Sequence, residues 1–231
     1  MWRKSCPAAL VVLALFFLAA PLARALELGQ VNNFQDGTTM SWMNGGINAI
    51  PVTNIANGGP AGAGDSYIRL TADGSGSGGR LTAFNNTQWL GDYIAEGVTA
   101  IEVDLINLSS VSLSVRLAFK TGPGNVPGYV SLPMLLPVGS GWQHFTISLA
   151  PANMRAIGGP APYNTFFAAG GVGEMRFIHA VGNNTLSGDF VVGQLGIDNI
   201  RAVPEPATTA LMVGGILALL GVLVRHKRHA R

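Results

Sequence analysis

Residues 111–119 read Val-Ser-Leu-Ser-Val-Arg-Leu-Ala-Phe, and an apolar side chain stands at every odd-numbered position. Successive side chains of a β-strand point to opposite faces of the sheet, so this spacing predicts a strand with one buried and one wet face. One-sided burial of this kind is typical of antiparallel sheets. The stretch therefore predicts an all-β architecture.

The same alternation recurs along the chain between clusters of Gly, Pro, Asn and Asp. Further strands are predicted at residues 66–71, 101–105, 144–149, 175–181 and 195–202. Many short strands with polar turns predict an antiparallel β-sandwich, or jelly roll. Residues 107–110 predict a hairpin turn between two of the strands, and one helical turn is expected at residues 152–156.

An apolar segment at the N-terminus predicts export. Arg3 and Lys4 precede the segment, and Ala23-Arg24-Ala25 fits the small-x-small pattern that signal peptidase cleaves. Residues 1–25 are therefore predicted to be a signal peptide that uses the Sec translocon. The single cysteine, Cys6, lies inside it, so the mature chain is expected to contain no disulfide.

A second apolar segment at the C-terminus predicts a membrane anchor. Residues 207–224 carry no charge, and as a helix of 18 residues they reach about 27 Å. That length just spans a hydrocarbon core of roughly 30 Å. The cationic side chains that follow predict a cytoplasmic tail at residues 225–231, with the rest of the chain outside the inner membrane. They are Arg225, Lys227, Arg228 and Arg231.

Pro204-Glu205-Pro206 stands directly before this span. The order of this motif, an apolar helix and an arginine-rich end resembles the PEP-CTERM sorting signal of Gram-negative bacteria, over residues 204–231. The resemblance implies recognition by an exosortase, cleavage near the motif, and release to the cell surface or extracellular matrix. It also implies an association with exopolysaccharide. The alternative is an ordinary C-terminal anchor behind a proline-rich linker.

The charge of the predicted ectodomain, residues 26–203, differs from that of the whole chain. The chain has a formal net charge of +2, but residues 26–203 hold seven Lys or Arg against eleven Asp or Glu, a net −4. The basic excess therefore belongs to the two ends. The sequence shows no basic patch in the ectodomain, so we do not expect a nucleic-acid partner.

Three short motifs of the ectodomain resemble carbohydrate-binding-module and galactose-binding-like jelly rolls. They are Phe34-Gln35-Asp36-Gly37-Thr38 with Trp42, Trp142-Gln143-His144-Phe145, and Gly196-Ile197-Asp198-Asn199-Ile200. In that fold class a structural calcium often joins the first and last strands. The resemblance makes Asp36 and Asp198 candidate calcium ligands, since carboxylate oxygens suit calcium. Hydrogen bonding of each aspartate within its own turn is the alternative.

Aromatic side chains in or beside predicted loops are candidate sugar-binding residues, because a flat ring stacks on the apolar face of a pyranose. They are Trp89, Tyr93, Tyr129 and Tyr163. Each of them alone is also explained by packing within the protein. Trp42 and Trp142 are predicted to lie mainly in the core.

The sequence predicts no enzyme. His144 and His179 lie on predicted strands without ligands at metal-binding spacing, and Glu102 and Asp104 share the wet face of one strand. The favoured function is a non-catalytic surface protein that binds exopolysaccharide, and exposed aromatics on a sheet face or loop rim would support it. A matrix or adhesion protein without a defined ligand would have a featureless polar surface. A polysaccharide-cleaving enzyme of laminin-G-like fold would need two facing carboxylates in a cleft.

Overall fold

The computed structural model describes residues 26–45, 49–124 and 126–204, which form two antiparallel sheets packed face to face. The predicted all-β sandwich is therefore confirmed. Along the described residues the strands are β1 Val31–Asn32, β2 Thr53–Ile55, β3 Tyr67–Asp73, β4 Thr82–Asn85, β5 Ala100–Asn107, β6 Leu113–Lys120, β7 Gly128–Ser131, β8 Met134–Leu136, β9 Trp142–Ser148, β10 Met154–Ile157, β11 Glu174–His179 and β12 Val192–Val203.

Each sheet contains six of these strands. The first sheet has the order β2-β3-β12-β5-β9, and β1 also pairs with β12. The second sheet has the order β10-β7-β6-β11-β4, and β8 also pairs with β6. Strands that are far apart in the sequence thus become neighbours, as where Val31 of β1 lies opposite Arg201 of β12.

The core lies between the two sheets and follows from the alternation of apolar residues. In β5 the side chains of Ile101, Val103 and Leu105 are buried, while Glu102 and Asp104 between them are partly exposed. The inward side chains of β3, β6, β11 and β12 join them in one continuous cluster. Burial of these faces is the main contribution that holds the sheets together.

The structure corrects the predicted hairpin at residues 107–110. The two flanking strands, β5 and β6, belong to different sheets, so the turn carries the chain across the sandwich. Asn107 holds this crossover: its side-chain amide donates to the carbonyls of Val111 and Leu136, and its oxygen accepts the Ser109 N–H. Alternation predicts which face of a strand is buried, but not which strand pairs with it.

The predicted helical turn at residues 152–156 is also wrong in part. A 3-10 turn occupies Pro151–Asn153, and the chain continues directly into β10, which pairs with β7. One short helix, α1, lies further on at Tyr163–Phe166. Its Phe166 and the following Phe167 pack into the core.

The two predicted end segments lie outside the described residues: the signal peptide at 1–25, and 205–231 of the sorting signal, with Glu205, Pro206 and the basic tail. Pro204 is described and follows β12. In the part of the chain that is described, no helix is long and apolar enough to cross a bilayer.

Candidate functional site

The structure corrects the predicted sugar-binding aromatics. Trp89, Tyr93 and Tyr129 are buried in the core, and Tyr163 is half-buried against it. Their polar atoms are used inside the protein: the Tyr93 hydroxyl donates to the Trp89 carbonyl, and the Tyr129 hydroxyl donates to the Ala161 carbonyl. The buried rings of Trp89, Tyr93 and Tyr129 cannot stack on a sugar from solvent, whereas Tyr163 borders a cavity of about 370 Å³ and its role in binding stays a prediction.

The two tryptophans predicted to lie in the core differ from one another. Trp42 is buried, as predicted, and lies 5.3 Å from the ring of Phe177. Trp142 is only half-buried and lies on the outer face of the first sheet, edge-on to Tyr67 at 5.2 Å. The difference arises because Trp142 lies opposite Ile106 of β5, whose side chain points away from the core.

A groove lies on the outer face of the second sheet. Its floor is made by Thr82 and Phe84 of β4 and by Glu174 and Arg176 of β11. Arg176 lies directly opposite Phe84 in the register, so these two side chains share one face. The cavity has a volume of about 470 Å³, which lies within the range of small-molecule sites.

One wall of the groove is the loop between β11 and β12, residues 181–190, which folds back over the second sheet. Leu186 packs against outward-facing apolar side chains of that sheet. Thr82 donates its hydroxyl hydrogen to the Ser187 carbonyl, and the Arg80 guanidinium donates to the Gly188 carbonyl. These contacts place Ser187 and the ring of Phe190 at the edge of the groove.

Two aromatic rings border the groove, each with an arginine over its face. Arg80 lies 4.3 Å from the centre of the Phe190 ring, and Arg176 lies 5.3 Å from that of Phe84. Phe84 reaches its position because residue 45 is glycine: a β-carbon there would come within 2.6 Å of the ring. The groove thus combines flat apolar surfaces with charged hydrogen-bond donors.

A buried carboxylate lies at the floor of the groove. Oε1 of Glu174 accepts a hydrogen bond from Nε of Arg176 and lies 3.7 Å from Nζ of Lys120. Oε2 of Glu174 is buried and has no hydrogen-bond partner. A buried acceptor without a partner carries a free-energy penalty.

A second cavity of about 360 Å³ adjoins the groove and shares Gly124 and Ser187 with it. Lys120 lines this cavity, and Asn184, Thr185 and Leu186 of the 181–190 loop form its wall. The two cavities together give an elongated trough over the second sheet.

The two predicted calcium ligands have different environments. Asp36 is exposed, and its carboxylate accepts hydrogen bonds from the N–H and the hydroxyl of Thr38. Asp198 is fully buried at a bulge in β12, where Oδ1 accepts the Asn199 N–H at 2.7 Å and Oδ2 has no partner. The carboxylates whose charges act on Asp198 are Asp65 and Asp104, rather than Asp36.

The side chains around Asp198 do not form a ready calcium site, since calcium takes six to eight oxygen ligands. Asp65 already accepts hydrogen bonds from Gln35 and from the Ala61 N–H. Asp104 is bonded to His144 at 2.8 Å and accepts the side-chain amide of Asn199. Among the described residues, no group of three or more His, Cys, Asp or Glu side chains could hold a metal ion. Calcium at Asp198 therefore stays a prediction of the sequence.

Asp198 has an electrostatic environment that differs from that of an exposed aspartate. Burial raises its pKa to about 7, and the charges of Asp65 and Asp104 act in the same direction, against the opposing hydrogen bond from Asn199. A raised pKa is typical of a general acid in glycoside cleavage. The Asp198 side chain is closed off from solvent, however, so a glycosidic oxygen cannot approach it.

Sequence reasoning missed the groove residues. Arg80 and Phe190 lie outside the predicted strands and face each other across an isolated bridge. Arg176 lies inside a predicted strand, and Glu174 stands just before it; an acid and an arginine two residues apart are common on a strand face and do not by themselves mark a site. Pairing of β11 with β6 brings Glu174 opposite Lys120, a contact that no local pattern reveals.

Comparisons with known proteins give structural similarity without a family. No protein-family model matches the chain, and no curated protein matches it. It is similar to the family 11 carbohydrate-binding module from Clostridium thermocellum in complex with a β-1,3-1,4-mixed-linked tetrasaccharide, with a TM-score of 0.48 and 14% identity over 77% of this chain and 96% of that one.

Two further solved structures are similar at the same level. For CBM28, a non-crystalline cellulose-specific carbohydrate-binding module, the TM-score is 0.46 at 13% identity, over 78% of this chain and 97% of that one. For an exo-β-agarase the TM-score is 0.48 at 12% identity, over 75% of this chain and 24% of that one. Similarity at this level concerns the arrangement of strands alone.

Proposed function

We propose that this domain binds a polysaccharide chain in the groove of the second sheet, without cleaving it. The observation that carries the proposal is the composition of the groove. Phe84 and Phe190 offer flat rings at its border, while Arg80 and Arg176 offer hydrogen-bond donors within it. Sugar rings present an apolar face and polar edges, so this combination suits them.

The groove favours polysaccharide binding over the two alternatives from the sequence. A matrix protein without a ligand does not need aromatic rings at the border of a groove, whereas Phe190 is 53% exposed there. A glycoside-cleaving enzyme needs two carboxyl groups on either side of the bond, and the described groove lining holds one, Glu174. Binding requires only the surfaces that are present.

The proposed setting is the bacterial surface. The C-terminal segment resembles a PEP-CTERM signal, so the protein is exported, held in the inner membrane, processed by an exosortase and released to the surface or matrix. Exopolysaccharide is then the polymer that the groove would meet. These steps follow from the resemblance of residues 204–231, and they lead to a separate test.

A glycan array probed with the full-length protein in mild detergent tests the binding proposal. We expect polysaccharides or oligosaccharides to bind, and we expect Phe190→Ala to weaken binding about tenfold, which corresponds to roughly 1.4 kcal/mol. The matched control is Val181→Ala, which removes an apolar side chain of the same loop that is 74% exposed and outside the groove lining. Absence of glycan binding, or equal effects of the two variants, would contradict the proposal.

A further inference from the structure

Positive charge is concentrated at the groove and its adjoining cavity. Of the seven Lys and Arg residues in 26–203, three line these cavities: Arg80, Lys120 and Arg176. Of the eleven acidic residues in the same range, one does so, Glu174. Three cations against one carboxylate give a local net charge of +2, whereas the range as a whole has −4. A concave surface with one sign of charge concentrates ligands of the opposite sign.

Arg80 is positioned for anion binding. Its guanidinium donates to the Gly188 carbonyl and stacks over Phe190, and no ion pair to it is found among the described residues. A guanidinium has five N–H donors in a planar fork, so one backbone contact leaves most of them available. Planar guanidinium groups bind carboxylates and sulfates through paired hydrogen bonds.

The cluster at the groove floor has one negative charge for two positive charges. Oε1 of Glu174 is shared by Arg176 and Lys120, so the cluster has a net positive charge. Burial lowers the pKa of Lys120, and the charge of Arg176 lowers it further, against the attraction of Glu174. An anion bound near these side chains would stabilise both cations.

Glu174 itself is fully buried, so the ligand meets the arginines and the rings rather than this carboxylate. A carboxylate or sulfate on a sugar provides the anion for Arg80 and Arg176, and the same sugar provides an apolar face for Phe84 and Phe190. A neutral glycan meets only the second requirement. A nucleic acid would offer phosphate, but the net −4 of residues 26–203 opposes its long backbone outside the groove.

We infer that the groove selects an anionic polysaccharide, whose carboxylate or sulfate groups bind Arg80 and Arg176. This inference rests on the proposed function and specifies its ligand class. The ligand's charged groups alternate with sugar faces that pack on Phe84 and Phe190.

Affinity electrophoresis of the full-length protein in detergent tests the inference. Separate gels contain polygalacturonate as the carboxylated polymer, dextran sulfate as the sulfated polymer, and mixed-linked β-glucan as the neutral polymer. We expect retardation by one or both acidic polymers at least tenfold stronger than by the neutral one. Retardation should weaken as salt rises, because salt screens the attraction between charges. The two acidic gels distinguish carboxylate from sulfate.

Substitutions of the groove arginines test whether these side chains bind the acidic polymer. Arg80→Gln and Arg176→Gln should each reduce affinity for the acidic polymer about tenfold or more, and Arg80→Lys should restore part of it. Arg201→Gln is the matched control, since it removes the same charge from an exposed position on the first sheet. Melting curves establish that each variant is folded.

The outcomes separate the inference from the function that it rests on. Binding to the neutral polymer alone, or acidic binding that Arg201→Gln weakens as much as Arg80→Gln and Arg176→Gln do, overturns the inference but leaves polysaccharide binding in place. Binding to no polysaccharide overturns both. Equal affinity for single-stranded DNA, measured in solution, would make the groove a general polyanion site and also overturn the inference.

Discussion

At the scale of single residues, Asp198 links the β12 bulge to the pH dependence of stability. Its pKa is raised from 3.8 to about 7 in the folded protein, first of all by burial. The folded state therefore binds more protons than the unfolded state between these two pH values, so this group's contribution to stability is lost as the pH rises through that window. Below pH 4 the carboxyl group is neutral in both states.

We predict that Asp198→Asn removes this pH dependence. The amide has the same shape, stays neutral and can still accept the Asn199 N–H. The stability advantage of the variant should therefore grow with pH, from about 1.5 kcal/mol at pH 5 to on the order of 4 kcal/mol, or about 10 °C in melting temperature, at pH 8. Thermal melts in matched buffers measure the difference.

The same melts test the predicted calcium. If calcium binds the Asp198 carboxylate, calcium in place of EDTA should raise the melting temperature of the parent at pH 8, but not that of the variant. A midpoint that is equal in calcium and EDTA would leave only the hydrogen-bonding account of Asp198. A stability difference between parent and variant that does not change from pH 5 to pH 8 would contradict the raised pKa.

At the scale of secondary-structure elements, the two-residue strand β1 depends on one side chain. Asn32 is buried, and its oxygen accepts hydrogen bonds from both indole N–H groups of Trp42 and Trp89, at 2.9 and 2.7 Å. Both rings come from segments outside the regular strands. One asparagine thus fixes two large rings and the strand against β12.

We predict that Asn32→Ala lowers the free energy of unfolding by about 2–4 kcal/mol, because it leaves two buried indole donors without an acceptor. The neighbouring Asn33 is exposed, so Asn33→Ala should change stability by less than about 0.5 kcal/mol. Urea unfolding followed by tryptophan fluorescence measures both variants. Equal midpoints for the two would show that the indole hydrogen bonds contribute little.

The limits of prediction from the sequence follow from the same elements. Long strands such as β6 were predictable because Leu113, Val115, Leu117 and Phe119, four apolar residues at period two, define a buried face. β1 was not, since two residues cannot display a period. The groove was not predictable either: Arg80, Arg176 and Phe190 meet only through pairing of distant strands. The prediction that Trp89 and Tyr93 are exposed to a sugar was wrong, because an aromatic residue in a loop can turn inward as readily as outward.

At the scale of the whole molecule, the two outer faces of the sandwich differ in charge. On the outer face of the second sheet the strands carry Arg116, Lys120, Arg155 and Arg176 with one acid, Glu174, and the loop over this face adds Asp189, whose charge acts on Arg116. The outer face of the first sheet carries Asp73, Glu102, Asp104 and Asp198 with two arginines, Arg69 and Arg201. The negative net charge of residues 26–203 is thus an average over an acidic face and a basic face. For this reason the composition alone did not suggest an anionic ligand.

The predicted span at residues 207–224 would hold the domain at the inner membrane unless the chain is cut before the span. The resemblance of Pro204-Glu205-Pro206 to a PEP-CTERM motif implies that an exosortase makes this cut, which would release the proposed polysaccharide-binding domain to the surface. We predict that Glu205→Ala with Pro206→Ala, in the native host, leaves full-length protein in the inner-membrane fraction.

Cell fractionation and the mass of the released protein measure the outcome. The matched control is Thr208→Ala with Thr209→Ala, which changes two residues of the span and keeps it apolar; this protein should be trimmed and released like the parent. If the motif variant is released as well as the parent, the exosortase hypothesis is wrong. If the parent itself stays uncut in the membrane, residues 207–224 act as an ordinary anchor, and the groove would bind polysaccharide at the membrane surface.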